Sequence, residues 1–423
     1  MNPDLLAEAK RLWDDHQKIR KVDTQLGFIP PQEAVRLVNG FFKLADSLNF
    51  KLHPTTREEV FGNELKRRFQ SEAERVDGFS SSKPITYEDT ISSYNINLGD
   101  IASLKPWLLN NRQSALDTMQ RTFDATEPGE FHYAPTLDIP GVQQAAAPIA
   151  AGVIDNYHQK LGKLFQRLSP AGEFLRDIQA GPTFQDRAYF NGFHKVLSLP
   201  IAQVLYWAAD RTYHVRRREL ISVYGHEGEG HALNHVITEK SDLPFIQKEP
   251  GYSVSATMES VAQFYQTLIF DDLKGAPDIQ RELEIDHVFE GIYQRQIDLT
   301  EIEKYKNRLD RYSISVLADK SLGDPRDPKV IEQKIGLVEE VAIFPRYARS
   351  MIDNYAYSYD SAGNLKEDVT GELRYIVQPV ERALKILEAK GKTPLNDRST
   401  IDLTLLTGFW TPEGLVEIAS LVK

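Results

Sequence analysis

The sequence contains no cysteine among its 423 residues. This absence excludes disulfide bonds, thiol nucleophiles and every cysteine-based zinc or iron–sulfur site. Any bound metal must therefore be held by histidine and carboxylate side chains. The residues of interest for metal binding are therefore histidines and carboxylates at a spacing that allows them to reach one ion.

Long apolar runs and an excess of basic residues are also missing. No stretch approaches 18 consecutive apolar residues, and the first ten residues lack the basic-then-apolar order of a signal peptide. There are 50 Lys and Arg against 61 Asp and Glu, which gives a net charge of −11. An acidic protein has little electrostatic attraction for a nucleic-acid backbone or an anionic membrane. We therefore expect a cytoplasmic protein that has neither nucleic acid nor membrane as a partner.

Strand-like alternation of apolar and polar residues is scarce, whereas helical periodicity recurs along the chain. Beyond the N-terminal helices, helical patterns fall near 143–168, 171–180, 186–207, 213–239, 252–273, 277–320, 328–359 and 371–389. A chain of this length exceeds what one hydrophobic core usually supports. We predict a mostly α protein with an N-terminal helical lobe at 1–125 and a catalytic domain at 126–423.

Histidine is concentrated in one short window. Three of the ten histidines fall within ten residues, and the first two, His226 and His231, are five positions apart. In a regular α-helix five steps rotate the second side chain by about 140° away from the first, so both could not reach one ion. A π-type turn, with its wider i→i+5 repeat, would return them to one face. We therefore predict a π-bulge or a local break within residues 225–231.

Three glycines in the same window are unusual for a plain structural helix. Gly225, Gly228 and Gly230 each cost about 1 kcal/mol of helix propensity relative to alanine. We attribute them to the predicted distortion, and expect alanine at position 228 or 230 to weaken metal binding. The alternative is a glycine-rich loop with solvated His and Glu side chains.

A glutamate on a second predicted helix extends this set. Glu259 lies beside an apolar stripe at helical spacing, and the helix is expected to begin near Ser253. The stripe consists of Val254, Met258, Val261, Tyr265 and Leu268. A carboxylate in that position is costly unless it is paired or bound to metal. A salt-bridged glutamate at the margin of the stripe is the alternative.

These residues resemble the zinc motifs of known metallopeptidases. Residues 226–231, His-Glu-Gly-Glu-Gly-His, match the six-residue HExxGH motif of the dipeptidyl-peptidase III family. Residues 230–233 followed by Glu259 are similar to thimet-oligopeptidase-like gluzincins, and residues 251–252, Gly-Tyr, resemble those that precede the glutamate ligand in the tubulin tyrosine carboxypeptidases with an HExxxH motif. The likeness covers about 45 of the 423 residues. The second motif of the dipeptidyl-peptidase III family is not evident around Glu259, so that family's exopeptidase specificity does not carry over.

The resemblance implies a gluzincin-like helical metallopeptidase with two lobes around an active-site cleft. It implies His226, His231 and Glu259 as Zn²⁺ ligands and Glu227 as the general base, with a fourth position open to water. The implied activity is zinc-dependent hydrolysis of peptide bonds in a peptide or a protein chain end. The residues leave a second assignment open, with Glu227 and His231 at i, i+4 as ligands and Glu229 as the base.

A tyrosine-rich segment near the C-terminus supplies candidate donors for the oxyanion formed during hydrolysis. Residues 346–359 contain four tyrosines and two arginines. Thimet-like gluzincins place tyrosine hydroxyls over the metal, so the resemblance implies catalytic roles for Tyr355, Tyr357 and Tyr359. Core packing or surface hydrogen bonding is the alternative for each of them.

Other charged residues and histidines are expected to have secondary roles. We predict that His235 and His287 are solvated or lie near the ligands without binding the metal. Arg216, Arg217 and Arg218 are expected to form a solvated helix face. They could instead hold a substrate carboxylate, which would favour a carboxypeptidase. Two further functional alternatives are a metal-dependent hydrolase of another amide or ester, and a non-catalytic binding module on a gluzincin scaffold.

Overall fold

The computed structural model describes residues 3–26, 31–80, 101–124, 140–207, 212–323, 327–344, 346–347, 349–350 and 379–423. Within these residues 75% lie in helices, which confirms the predicted mostly α class. No helix in this part of the chain is both long enough and apolar enough to cross a bilayer.

Three helices form the N-terminal layer: α1 (Pro3–Leu26), α2 (Pro31–Ser47) and α3 (Arg57–Ser80). They pack around the rings of Trp13, Phe41 and Phe69. Arg68 on α3 is fully buried, and its guanidinium donates a hydrogen bond to the backbone carbonyl of Ile246. This bond ties the N-terminal layer to the part of the chain that carries the candidate site.

The stretch predicted as a helix over 186–207 is instead mostly β structure, so that prediction is wrong. Residues 170–177 form a 3₁₀ helix, followed by β1 (Gln179–Thr183), β2 (Tyr189–Asn191), β3 (Val196–Pro200), α6 (Ile201–Val204), β4 (Leu205–Trp207) and β5 (Tyr213–Val215). The central strand β3 pairs parallel with β1 and antiparallel with β2, and β4 pairs antiparallel with β5. Short apolar runs do not distinguish strand from helix by periodicity, and pairing with neighbouring strands decided the outcome here.

The next helices carry the histidine window and Glu259. They are α7 (Arg217–Val223), a π-helix (Tyr224–Ala232), α8 (Leu233–Lys240), α9 (Phe245–Lys248) and α10 (Tyr252–Lys274). Backbone angles at Val223 (φ −66°, ψ −36°) and Leu233 (φ −64°, ψ −43°) are helical. The chain from Arg217 to Lys240 is therefore one continuous helical rod whose middle nine residues form the π-helix. Helix α10 begins one residue before the predicted start at Ser253.

The remaining helices are α4 (Ile101–Asp124), α5 (Pro140–Leu168), α11 (Pro277–Glu282), α12 (Phe289–Ala318), α13 (Pro328–Glu339), α14 (Pro379–Ala389), α15 (Arg398–Leu406) and α16 (Pro412–Leu421). Helix α4 packs with α12 and α13 around Leu108, Tyr305 and Val338. The largest core lies between α5, β3, the π-helix, α10 and the three C-terminal helices. The predicted division at residue 125 stays a prediction.

Candidate metal centre

The π-helix determines which side chains of the window share a face. His226 and His231, five positions apart, lie with their ring centroids 5.0 Å from each other. The predicted distortion within residues 225–231 is confirmed, and it spans the slightly longer segment from Tyr224 to Ala232. The wider turn has the effect expected of it, because the two imidazoles now point to the same side of the rod.

Glu259 on α10 meets both histidines. Its Oε2 atom lies 3.5 Å from His226 Nε2 and 3.7 Å from His231 Nε2, and the ligand atoms of the three residues all fall within 4.8 Å of one another. Two donors about 2.0–2.2 Å from one tetrahedral zinc ion lie about 3.3–3.6 Å apart. The two carboxylate–imidazole distances are close to this range, so the three residues could hold a metal ion.

Two glycines allow α10 to approach closely enough for Glu259 to join the histidines. A Cβ atom added at Gly230 would lie 2.5 Å from Ala262 Cα, and one added at Gly225 would lie 2.8 Å from the carbonyl oxygen of Tyr265. A Cβ at Gly228 would lie no closer than 3.4 Å to its neighbours, an ordinary contact. None of these three glycines has a positive φ angle. The close helix contact, rather than an unusual backbone angle, thus explains Gly225 and Gly230.

Glu259 attracts His226 and His231, and this attraction shifts the pKa values of Glu259 and His226. Burial opposes ionisation of Glu259, but the hydrogen bonds and charges of His226 and His231 outweigh it and hold the pKa of Glu259 well below its usual range. Burial likewise disfavours a charged His226, yet Glu259 and then Glu227 raise its pKa overall. A cation is therefore favoured between these side chains, whether it is a proton or a metal ion.

Gln266 fixes the orientation of His226. The Oε1 atom of Gln266 lies 3.0 Å from His226 Nδ1, and its Nε2 atom donates to Ser222 Oγ at 3.0 Å. An amide oxygen only accepts, so His226 Nδ1 carries the proton and Nε2 is left facing Glu259. Metal-binding histidines usually have such a partner on the other ring nitrogen.

Glu227 lines the same cavity as the three candidate ligands. The cavity has a volume of about 470 Å³. Its walls are formed by Arg187, Ala188, Tyr189, Phe190, Gln203, Val223, His226, Glu227, His231, His235, Met258, Glu259 and Gln266. Glu227 is half-buried, so its carboxylate is next to the candidate ligands and also accessible from the cavity. This placement is compatible with a general base.

Glu229 lies on the other side of the rod. Its side chain is buried, and burial together with nearby Asp272 raises its pKa well above the usual value. The charges that act on it are those of Asp272, Arg398 and Asp402, and Glu229 does not line the cavity. The geometry therefore does not support the assignment of Glu229 as the base with Glu227 as a ligand.

The arginines that precede the window are less exposed than predicted. Arg216 is buried, donates to the carbonyl oxygen of Leu205 at 3.4 Å and lies over the ring of Tyr206. Arg218 donates to Gln296 Oε1 on α12 at 3.2 Å. The prediction of a solvated face is wrong for Arg216, because the side chain ties β4 to the start of α7. Neither arginine lines the cavity.

The remaining predicted candidates are two histidines and three tyrosines. His287 is exposed, as expected, and lies 3.7 Å from Asp286. Tyr355, Tyr357 and Tyr359 lie outside the described residues, so their catalytic role stays a prediction. His235 lines the cavity.

Sequence reasoning missed several residues of the site. Gln266 lies seven positions after Glu259, two helical turns along one face, and that spacing could have indicated it. Arg187, Tyr189 and Phe190 reach the cavity from β2 and the loop before it, a region predicted to be helical. Nothing in the local sequence links them to the histidine window, since the contact is made only by tertiary packing.

No protein-family model, curated protein or solved structure matches this chain.

Proposed function

We propose that this protein is a zinc-dependent metallopeptidase that hydrolyses peptide bonds, with a gluzincin-like site in a cleft between lobes. The observation that carries the proposal is the placement of His226, His231 and Glu259 around one point, with Glu227 beside them in the same cavity. The residue types and their spacing fit zinc, and the adjacent carboxylate fits hydrolysis better than simple metal storage.

Separate residues would hold the metal, transfer the proton and orient a ligand. A zinc ion held by His226, His231 and Glu259 would polarise the scissile carbonyl and make water nucleophilic near neutral pH. The Glu227 carboxylate accepts the proton of the attacking water and transfers it to the nitrogen of the leaving amine. Gln266 keeps the Nδ1 proton of His226 in place, so that Nε2 stays available as a donor atom.

The walls of the cavity suit an extended polypeptide. Strand β2 lies at the edge of its three-stranded sheet, and its residues Tyr189 and Phe190 line the cavity. An edge strand presents unpaired backbone groups with which an extended peptide can pair. Met258 and Val223 add apolar surface for side chains of the bound peptide. These features support a peptide or chain-end substrate over a small amide or ester.

Carboxypeptidase activity is a specific form of this proposal, and Arg187 supports it. Arg187 lines the cavity, is exposed, and has no ion-pair partner among the described residues. Its guanidinium is available to a substrate's terminal carboxylate. Matched peptides with free and amidated C-termini test this point: faster cleavage of the free form is expected, and equal rates would assign the enzyme as an endopeptidase.

The experiment that tests the proposal combines metal analysis with a peptide-library screen. We expect about one zinc per chain, cleavage of peptides, and loss of cleavage in Glu227→Gln with zinc retained. Full activity in that variant would refute the role of Glu227. Cleavage confined to small amides or esters would assign a different hydrolase, and a purified protein with far less than one zinc would favour a non-catalytic scaffold.

A further inference from the structure

A third histidine of the motif window, His235, also lines the cavity. It lies on α8, one helical turn beyond His231. Its ring centroid is 5.6 Å from that of Phe190 on β2 and 4.9 Å from that of Phe409, which follows α15. The imidazole is therefore held in a fixed position between two aromatic rings, at the side of the candidate metal centre.

The nitrogens of this ring have no hydrogen-bond partner among the residues that the structure describes. Burial, and then the charge of His231, lowers the pKa of His235 to about 4. The ring is thus uncharged at neutral pH and offers one N–H donor and one nitrogen acceptor. Both ring nitrogens are therefore free to pair with a molecule that enters the cavity.

Gly192, in the turn between β2 and β3, keeps the nitrogen edge of the ring accessible. A Cβ atom added at Gly192 would lie 3.1 Å from His235 Nδ1 and 3.6 Å from Nε2. The backbone of Gly192 has no positive φ angle, so its conformation alone does not require glycine. A side chain at this position would cover the edge of the imidazole that carries both nitrogens.

Two simpler roles for His235 fit less well. It is not a member of the three-residue group whose ligand atoms lie within 4.8 Å of one another, so it is not a fourth metal ligand. If it only filled space between Phe190 and Phe409, a phenylalanine or leucine would pack there without placing two polar nitrogens at the cavity wall. The remaining role is to contact a molecule that enters the cavity.

We propose that His235 is a substrate-binding residue whose imidazole forms a hydrogen bond with the peptide backbone next to the scissile bond. This inference rests on the proposed peptidase function. A neutral imidazole can pair with either a backbone N–H or a backbone carbonyl, and the neighbouring edge strand β2 holds an extended peptide alongside it. His235 selects for a peptide backbone rather than for a charged side chain.

Peptide binding in a variant that cannot turn over tests this directly. Glu227→Gln protein loaded with zinc is titrated with a fluorescent peptide chosen from the library screen, with and without His235→Phe. Phenylalanine keeps the packing against Phe190 and Phe409 but removes both nitrogens. We expect peptide affinity to fall about 5- to 10-fold with zinc content unchanged, and His235→Gln to recover part of the loss. In protein that retains Glu227, the same His235→Phe change should act mainly through KM.

Two further variants test the same inference. His194→Phe is the matched control, because His194 is exposed, packs on Phe193 and does not line the cavity; it should bind peptide normally. Gly192→Ala keeps His235 but covers its nitrogen edge, and should weaken peptide binding without loss of zinc.

Two results would overturn the inference. Peptide affinity that is the same with and without His235, or a loss of zinc that accompanies the loss of affinity, would refute a substrate-binding role. Failure of the proposed function is distinguishable, since wild-type protein would then show no peptide cleavage, with or without bound zinc.

Discussion

The two faces of the π-helix lie in different surroundings, although the residues that form them are close together in the sequence. Glu227 is half-buried and lines a cavity, whereas Glu229, two residues later, is sealed in the core. On the buried face, Arg398 Nε donates to both carboxylate oxygens of Asp402 at 2.9 and 3.1 Å, and its Nη1 donates to Asp272 Oδ1 at 2.9 Å. The comparison shows that identical side chains acquire different surroundings through position alone: one carboxylate faces the cavity, and the other is buried beside an ionic network.

The buried network also supports the cavity face. Asp272 and Tyr265 lie on α10, the helix that carries Glu259, and Asp402 lies on α15 and accepts a hydrogen bond from Tyr265. Arg398 therefore connects α10 to α15 behind the candidate site. Buried ionic groups of this kind favour one arrangement of the elements that they join. We infer that this network holds α10 and α15 in place behind the site, and so keeps the cavity face of the π-helix accessible.

Replacing Glu227 and Glu229 one at a time should give the largest difference in kcat between two variants. Glu227→Gln should reduce kcat by a factor of about 100 to 10,000, because the proton acceptor is lost. Glu229→Gln should leave kcat nearly unchanged, since Glu229 does not line the cavity, its burial raises its pKa, and an amide has nearly the same shape as the carboxyl group. Steady-state assays with matched zinc content measure both. Equal losses in the two variants would contradict the division of roles between the faces.

The buried face should also make stability depend on pH. Burial raises the pKa of Asp272 from 3.8 to about 6. The folded protein then binds more protons than the unfolded chain between those values, so this contribution to stability is full below about pH 4 and is lost as pH rises through 6. The change amounts to about 3 kcal/mol. Denaturant titrations of wild type and Asp272→Asn over this range measure it, and a wild-type slope no steeper than that of the variant would count against it.

The contact between the rod and α10 can be tested with two glycines of the same helix. Gly230→Ala places a methyl group against Ala262 and should cost about 1–3 kcal/mol of stability, with weaker zinc binding. The sequence alone predicted weaker metal binding for alanine at position 228 as well, but the structure leaves room for its methyl group, so Gly228→Ala should preserve zinc affinity and serves as the control. Thermal unfolding and chelator competition report the two quantities. If both variants lose zinc equally, the glycines are needed for the π-helix itself and not for the close contact.

The smallest effect is expected from the amide that orients His226. Gln266→Leu removes the acceptor for His226 Nδ1 and should lower zinc affinity about 10- to 100-fold. Gln266→Glu keeps an acceptor at that position and should retain most of the affinity. Competition with a fluorescent zinc chelator measures both without requiring turnover. Wild-type affinity in the leucine variant would show that this hydrogen bond does not orient the ligand.

The sequence by itself determined the helical class and the distorted window, and its resemblance to metallopeptidase motifs indicated Glu259 as the partner of His226 and His231. The class and the distortion follow from local periodicity and from the angle between residues five apart, which needs no knowledge of the rest of the chain. The sequence did not determine the strands at 179–200, the opposite directions of Glu227 and Glu229, or the cavity walls at Arg187 and Phe190. Only the tertiary structure decided these, because strand pairing, burial and the close approach of two helices depend on residues far apart in the chain.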